Sequence, residues 1–353
     1  SENKILALDD IPDMADMLKK FEGIKNQTNC KIIDGKTYSL PKTATTQGLI
    51  YNKDMFKAAG IVDENGEAKP PTTVAEVREC AKKLTNVKEK KFGIIFPAAW
   101  SDWFGSDVSS MLIGSTGNSG YDPTTGKYDY SGLKPMIDMI MGIKEDGSYF
   151  PGAENLDNDT ARARFAEGNI GTKFAYSFDV GVLNDQFPAK CDWGVAPLPV
   201  ADAGKKYLQR MSVEGGCYVN AQTAEKKGLS KIAAVLKFLY GDDFVREMYK
   251  TGMQLPYDFS IVDGIELDNA KKGWKEFAEL VSISTTEPLG IRYDGSGIKP
   301  LRDVFINEIW SGANKDVEGI LKDYSDSVNN AAKQYCDEHP EYDYKSRIIP
   351  DWN

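Results

Sequence analysis

Two tryptophans beside a serine and an aspartate give this sequence its clearest binding chemistry. Residues 98–105 read AAWSDWFG and follow the apolar run FGIIF, which is typical of a buried strand. Ligands of open α/β sheets gather at the carboxyl ends of strands. Aromatic faces stack on the C–H surfaces of sugars, and planar polar groups bond sugar hydroxyls. We therefore interpret Trp100, Ser101 and Trp103 as candidate ligand contacts. The alternative is that both tryptophans belong to the core under the next helix.

Enzymatic chemistry has little support among the residues. The chain has one histidine, and its five cysteines form no CxxC pair, so zinc-type ligand spacing is absent. The GxSxG nucleophile elbow and the P-loop are absent as well. The paired carboxylates of a glycoside hydrolase remain an alternative, but 53 acidic residues produce many such pairs by chance. We expect a protein that is not an enzyme and that has no metal site and no cofactor.

Length and net charge further limit the classes of protein to which this chain can belong. A chain of 353 residues is too long for one ordinary core and predicts two domains. A net charge of −10 argues against nucleic acid or an anionic membrane as a partner, because both require a basic face. No apolar run approaches the ~18 residues of a membrane span. The negative net charge suits a protein that binds neutral or cationic small molecules.

Strand, turn and helix signals follow one another in residues 41–84. Residues 48–51 predict a short strand, Asn52 and Asp54 are possible caps of the next helix, and Gly60 closes it. Thr73 and Glu76 have the spacing of a capping box. Cys80 lies on an apolar helical stripe, so we interpret it as a core residue. A Cys30–Cys191 or a Cys191–Cys217 disulfide is possible, and the sequence does not choose between them.

The order of these signals resembles a known family. The segments LPKTATTQGLIYNKDMFKAAGI and KPPTTVAEVRECAKKLT are similar to the extracellular solute-binding proteins of ABC importers. The closest group is the carbohydrate-binding type that includes maltose-binding protein, and the likeness continues to about Asn330. The resemblance implies an α/β, two-lobed fold of the periplasmic-binding-protein type (type II), with hinge closure on a ligand.

The resemblance also implies how the lobes divide. Residues 46–218 and 284–353 are expected to form the C-terminal-type lobe. Residues 1–45 and 219–283 are expected to form an N-terminal-type lobe that is reduced, because the usual first βα units and the signal segment have no counterpart here. In this family a lipid-anchored cysteine often precedes the domain. We therefore expect an extracellular or periplasmic protein, held at the bacterial membrane only through an anchor that this chain lacks.

Further candidate contacts come from the same resemblance. Tyr176 and Phe178 occupy a turn that the family delivers to its cleft, and maltose-binding relatives have a tryptophan near the position of Phe178. Gly215 and Gly216 lie where the family chain crosses between lobes and touches ligand, although a plain turn is an equal alternative. Tyr293, in the irregular loop 285–297, completes the set.

The function implied is binding of a mono- or oligosaccharide for delivery to the permease subunits of an ABC importer. Where relatives have an aromatic residue, this chain has Lys299 or Ile298. That difference argues against malto-oligosaccharides, or for a ligand with an acidic group. Alternatives are a surface-binding scaffold that has lost transport and, less favoured, a glycoside hydrolase.

Overall fold

The elements of the chain alternate between strands and helices. The computed structural model describes residues 4–24, 30–267 and 270–352. Its strands are β1 (Ile5–Leu6), β2 (Lys31–Ile33), β3 (Lys36–Ser39), β4 (Thr43–Asn52), β5 (Phe92–Ile94), β6 (Tyr121–Asp122), β7 (Lys127–Tyr128), β8 (Ile170–Tyr176), β9 (Trp193–Ala196), β10 (Gln209–Glu214), β11 (Val219–Asn220), β12 (Leu255–Pro256) and β13 (Ser284–Thr285). Its α-helices are α1 (Ala15–Lys19), α2 (Lys53–Ala58), α3 (Val74–Leu84), α4 (Ser110–Thr116), α5 (Lys134–Asp146), α6 (Asn158–Ala166), α7 (Asp179–Gly181), α8 (Ala221–Lys227), α9 (Leu229–Leu239), α10 (Asp242–Lys250), α11 (Trp274–Glu279), α12 (Leu301–Val304) and α13 (Val317–Glu338). Segments of π-helix are Phe104–Val108, Val182–Gln186 and Phe305–Trp310.

Strand β4 is the axis of the largest sheet and pairs along both of its edges. Strands β9 and β10 follow one another along one edge, and β8 and β12 along the other, all antiparallel to β4. Strand β5 pairs parallel with β8, and β13 pairs parallel with β10. Because β5 and β8 are parallel neighbours, the turns that follow them lie at the same end of the sheet.

Local signals in the sequence explain where the first helices begin. The Asn52 side chain accepts a hydrogen bond from the amide of Met55, which caps α2, and Gly60 takes a positive φ of 69° after that helix. Thr73 and Glu76 form a complete capping box at the start of α3. These predictions are confirmed, and so is the burial of Cys80.

Apolar residues cover both faces of the sheet. Leu49 and Phe174 point into one core together with α3, α5 and the ring of Phe305, whereas Ile50 and Ala175 point into a second core. This alternation follows from the two-residue period of a strand. It also explains why every residue of β4 is buried.

A third, smaller core joins the start of the chain to helices α8 and α9. It contains Leu8, Phe21 and Leu40 from the first segment and Leu236 and Tyr240 from the second. Leu255, Trp274 and Phe277, which the sequence assigns to the reduced lobe, instead contribute to the second core beside β8 and β9. The division into lobes remains a prediction. Within the described ranges no helix is long and apolar enough to cross a membrane.

Candidate functional site

Three aromatic rings from the turns after β5 and β8 lie together. The ring of Trp100 meets that of Tyr176 edge to face, with centroids 6.1 Å apart, and the Phe178 ring stacks on Tyr176 at 5.0 Å and 2°. Tyr176 is buried, whereas Phe178 is 45% exposed. Tyr176 is therefore the support that both neighbours share, and Phe178 is the most exposed ring of the three.

Hydrogen bonds and ion pairs fix the turn that carries Phe178. One carboxylate oxygen of Asp179 accepts from the Arg162 Nε–H at 2.6 Å, and the other accepts from the Tyr176 amide at 3.0 Å. The Arg162 guanidinium also lies 5.5 Å from the centroid of the Phe178 ring, within the range of a cation–π contact. Because Asp179 is the next residue after Phe178, these bonds fix the backbone from which the ring projects.

A buried carboxyl group holds Tyr176 from below. The Tyr176 hydroxyl donates to Asp107 Oδ1 at 2.7 Å, and the other oxygen of Asp107 has no protein partner. Burial raises the pKa of Asp107 to about 6, although the Lys173 ammonium and the Tyr176 hydrogen bond act in the opposite direction. Burial also lowers the pKa of Lys173, whose ammonium donates to the carbonyl of Phe174 at 2.7 Å.

A cavity of about 440 Å³ opens beside the Trp100 turn. Its polar wall includes Ser101, Asp102, Ser109, Arg210, Glu287 and Arg302. The rings of Tyr130 and Tyr324 and the apolar side chains of Phe104 and Leu301 complete it. The cavity therefore combines aromatic surface with grouped donors and acceptors, as small-molecule sites generally do.

The two arginines of the wall are held in place by acceptors of the chain. Arg210 Nε pairs with Glu287 at 2.9 Å, and Nη1 of the same guanidinium donates to the Gly105 carbonyl at 3.3 Å. Arg302 donates through Nε and Nη2 to the carbonyl of Ala98, at 3.1 and 2.6 Å. Two cations and two anions, Asp102 and Glu287, leave this wall without formal net charge.

Gln47, in the middle of β4, connects the ring group to the cavity. It lies opposite Tyr176 in the sheet, and its side-chain amide donates to the Ser106 carbonyl at 2.9 Å. Ser106 lines the cavity. The candidate site therefore has two parts at one end of the sheet: the ring group of Trp100, Tyr176 and Phe178, and the cavity lined by Ser101 and Arg210. Within the described residues no group of three or more histidine, cysteine or carboxylate side chains could hold a metal ion.

The family of the chain follows from its sequence comparison. Residues 5–245 match the family model described as bacterial extracellular solute-binding protein. The chain belongs to this solute-binding family. A putative binding protein of Brucella abortus is 25% identical over 243 residues, which are 65% of this chain and 53% of that protein. The sn-glycerol-3-phosphate-binding periplasmic protein UgpB of Yersinia enterocolitica is 28% identical over 233 residues, 63% of this chain and 49% of that protein. The chain thus spans about half the length of these relatives.

Solved structures of solute-binding proteins have the same fold. The GacH receptor of Streptomyces glaucescens, solved without ligand and with acarbose, superposes with a TM-score of 0.69 at 18% identity. The match covers 94% of this chain and 79% of that chain. The predicted α/β, two-lobed periplasmic-binding-protein-like fold is confirmed. The family consists of extracellular and periplasmic proteins that bind substrates.

The structure corrects the interpretation of Trp103 in this solute-binding protein. Its indole is fully buried, with the rings of Phe96 and Phe305 at 5.8 and 5.9 Å. A ring enclosed on all sides offers no face to a ligand, so Trp103 is a core residue. The sequence did not distinguish the two tryptophans. Trp100 remains a candidate ligand contact, since it is only partly buried.

Three further predicted contacts lie outside the site. An added Cβ at Gly216 would clash with Ser39 Oγ, and one at Gly215 would lie 2.8 Å from Thr43 Oγ1. The glycines are therefore explained by close packing of the chain on itself, and Gly215 also has a positive φ of 75°. Tyr293 packs edge to face on Tyr128 at 5.4 Å and does not line the cavity. Their role as ligand contacts remains a prediction that this geometry does not support.

Sequence reasoning missed the charged residues of the site. Arg210, Glu287 and Arg302 belong to segments that carry no motif, and only the sheet pairing of β10 with β13 brings the first two together. Arg162 lies in α6, and no local pattern indicates its contact with Asp179, which is 17 residues further along the chain. Both bridges proposed from sequence are absent, because Cys191 carries a free thiol.

Proposed function

We propose that this protein binds a neutral carbohydrate, a mono- or oligosaccharide, at the site that runs from Phe178 to Arg210. The observation that carries this proposal is the pairing of a half-exposed aromatic ring with a charge-balanced polar cavity. An aromatic face suits the C–H surface of a sugar ring. Ion-paired arginine and glutamate side chains supply both donors and acceptors to hydroxyls without attracting a net charge.

The size of the cavity agrees with a small ligand. Its volume of about 440 Å³ lies within the ~300–1,000 Å³ of typical small-molecule sites. The GacH receptor, which shares the fold, was solved in complex with acarbose, and UgpB is named for sn-glycerol-3-phosphate. For the present chain, the balanced wall favours the uncharged ligand over the phosphorylated one.

The wider role that we propose is that of the family. The protein delivers its sugar to the permease subunits of an ABC importer and has no enzymatic activity. It acts outside the cytoplasm, at the bacterial membrane, and closes on the ligand by movement of two lobes divided near residues 45, 218 and 283. A surface scaffold and a glycoside hydrolase are the competing functions.

Isothermal titration calorimetry tests the proposal. Maltose, raffinose, acarbose, ribitol and sn-glycerol-3-phosphate are titrated into the wild type and into Phe178→Ala, Trp100→Ala and Arg210→Gln. We expect one of the uncharged compounds to bind, and each substitution to weaken it. Tyr207→Ala is the matched control, because Tyr207 is a half-exposed aromatic residue that does not line the polar cavity.

The outcomes separate the competing functions. Binding of sn-glycerol-3-phosphate alone would overturn the neutral-ligand assignment. Tight binding that survives all three site substitutions would remove the site. Release of the aryl group from aryl glycosides would favour the hydrolase, and absence of binding to every compound would favour the scaffold.

A further inference from the structure

We propose that Arg162 and Asp179 are positioning residues for the Phe178 ring, and that the buried charges beneath it serve ligand binding rather than stability. This inference rests on the proposed function, because it concerns the same site. It goes beyond that function because it assigns a role to Arg162 and Asp179, which do not line the cavity.

The distribution of buried charge is the first observation. Among the described residues, the charged side chains with the least exposure are Asp107, Lys173 and Asp179, each 1–2% exposed. Asp107 accepts from the Tyr176 hydroxyl, and Asp179 accepts from the Tyr176 amide. Lys173 is within electrostatic reach of both carboxylates, and Arg162 faces the same group. Three segments, the π-helix Phe104–Val108, strand β8 and the turn after it, thus bring the most deeply buried charges of the described residues within reach of one another.

Stability alone does not explain such a cluster. Removing two opposite charges from water costs about as much as their attraction returns, and well-packed apolar residues are often equally stable. Charged hydrogen bonds do supply direction, because their donors and acceptors must align. The cluster is therefore best understood as a device that fixes geometry.

The geometry that it fixes is the placement of the Phe178 ring. Asp179 ties the turn to Arg162 and to the Tyr176 amide, through separate oxygens. The Nη1 atom of the Arg162 guanidinium also pairs with Asp159 at 2.7 Å, which gives the group beside the Phe178 ring a second anchor. Asp107 holds Tyr176, on which Phe178 stacks. Tyr176 and Arg162, whose ring and guanidinium contact the Phe178 ring, are thus each held by a carboxylate.

The test uses Arg162→Gln, Arg162→Lys and Asp179→Asn. The matched control is Arg164→Gln, since Arg164 lies on the same helix, pairs with Glu167 at 3.1 Å and faces the Phe150 ring at 5.8 Å. Amide hydrogen exchange at residues 176–178 is measured without ligand, together with the melting temperature. Affinity is measured for the tightest binder among maltose, raffinose, acarbose, ribitol and sn-glycerol-3-phosphate.

We expect Arg162→Gln and Asp179→Asn to accelerate exchange in the turn and to weaken affinity about tenfold, the loss expected for a displaced aromatic contact. Arg162→Lys should keep part of the slow exchange and part of the affinity, because an ammonium can still pair with Asp179. Arg164→Gln should change neither. If the melting temperature falls equally in Arg162→Gln and Arg164→Gln, a difference in affinity between these two variants cannot come from stability. That difference then measures the positioning effect of Arg162.

Two results would overturn the inference. The first is unchanged exchange at residues 176–178 in both Arg162→Gln and Asp179→Asn. The second is faster exchange with affinity unchanged in those variants, although Phe178→Ala weakens binding. If the wild type binds none of the compounds, the proposed function fails, and the exchange experiment alone decides whether Arg162 and Asp179 position the ring.

Discussion

Two neighbouring turns at one end of the sheet hold their aromatic residues by different means. The turn after β5 is anchored by Trp103, which is sunk among Phe96, Phe104 and Phe305. The turn after β8 is anchored by charges, with Asp179 and Asp107 as acceptors of directed hydrogen bonds. Apolar packing fixes the first turn, and a buried ionic cluster fixes the second.

The difference bears on how each turn serves the site. Packing energy depends on area and is tolerant of small rotations, whereas a charged hydrogen bond depends on direction. The β5 turn presents an exposed polar pair, Ser101 and Asp102, whose hydrogen bonds can form without one fixed ring plane. The β8 turn presents the face of Phe178, and the sugar stacking that we propose for it would require a fixed orientation of the ring.

The largest expected effect is on the turn held by packing. Trp103→Ala should destabilise the fold by about 3–5 kcal/mol, because a fully buried indole leaves a cavity that neighbours fill only in part. Urea unfolding followed by circular dichroism measures the loss. Trp100→Ala, at a partly buried ring in the same turn, should lose clearly less; equal losses would contradict the division of roles.

The next effect concerns the turn held by charge. Lys173→Met should destabilise the fold by about 3 kcal/mol, because it leaves two buried carboxylates with less compensation. The double variant Lys173→Met/Asp107→Asn should regain part of that loss. Lys134→Met is the control, since its pair with Asp138 is exposed at the surface and should contribute under about 1 kcal/mol. No recovery in the double variant would mean that the two charges are not coupled.

A smaller effect should appear with pH. Burial raises the pKa of Asp107 to about 6, so the folded state favours the protonated acid. The stabilising contribution of this group is therefore present below its ordinary pKa, and is lost as the pH rises through about 6. Asp107→Asn imitates the protonated form. Relative to that variant, the wild type should lose on the order of 2 kcal/mol between about pH 4 and pH 7.5 in urea unfolding.

The opposite sign of that difference would require an Asp107 carboxylate that the fold prefers ionised. Groups that lie far from Asp107 titrate equally in both proteins, so their contributions cancel in the comparison. A difference that does not vary with pH would show that the Asp107 pKa is ordinary.

The smallest effect on stability should come from the exposed ring itself. Phe178→Ala should change the free energy of unfolding by about 1 kcal/mol, the contribution of one stacked pair, because the ring is 45% exposed. Its effect should appear in sugar affinity instead. Parallel unfolding and calorimetry experiments check this, and a loss of stability without a loss of affinity would place the ligand elsewhere.

The elements of the fold were largely predictable because their signals are local. The capping box of Thr73 and Glu76 and the Asn52 cap need only neighbouring residues, and both formed as predicted. Strand β4 is longer than the predicted residues 48–51, because β10 and β12 pair with its first half. Those partners come from distant segments that no local pattern reveals.

The site was predictable only where a ring follows a strand end. Trp100 and Trp103 flank the same Ser-Asp pair, and which indole is enclosed depends partly on Phe305, which lies far along the chain. Lys173 sits within the apolar strand GTKFAY, where sequence alternation gives no hint that a lysine is buried. The Arg210–Glu287 pair depends on sheet topology, and no local sequence pattern predicts it.

The most direct measurement is a crystal structure of the protein with the tightest-binding uncharged sugar of the calorimetry series. The account predicts a sugar ring against the exposed part of Phe178 or along the Trp100 turn, with hydroxyls bonded to Asp102, Arg210 or Glu287. A sugar bound instead in the apolar groove beside Tyr207 and Leu208, with the polar cavity unoccupied, would contradict it.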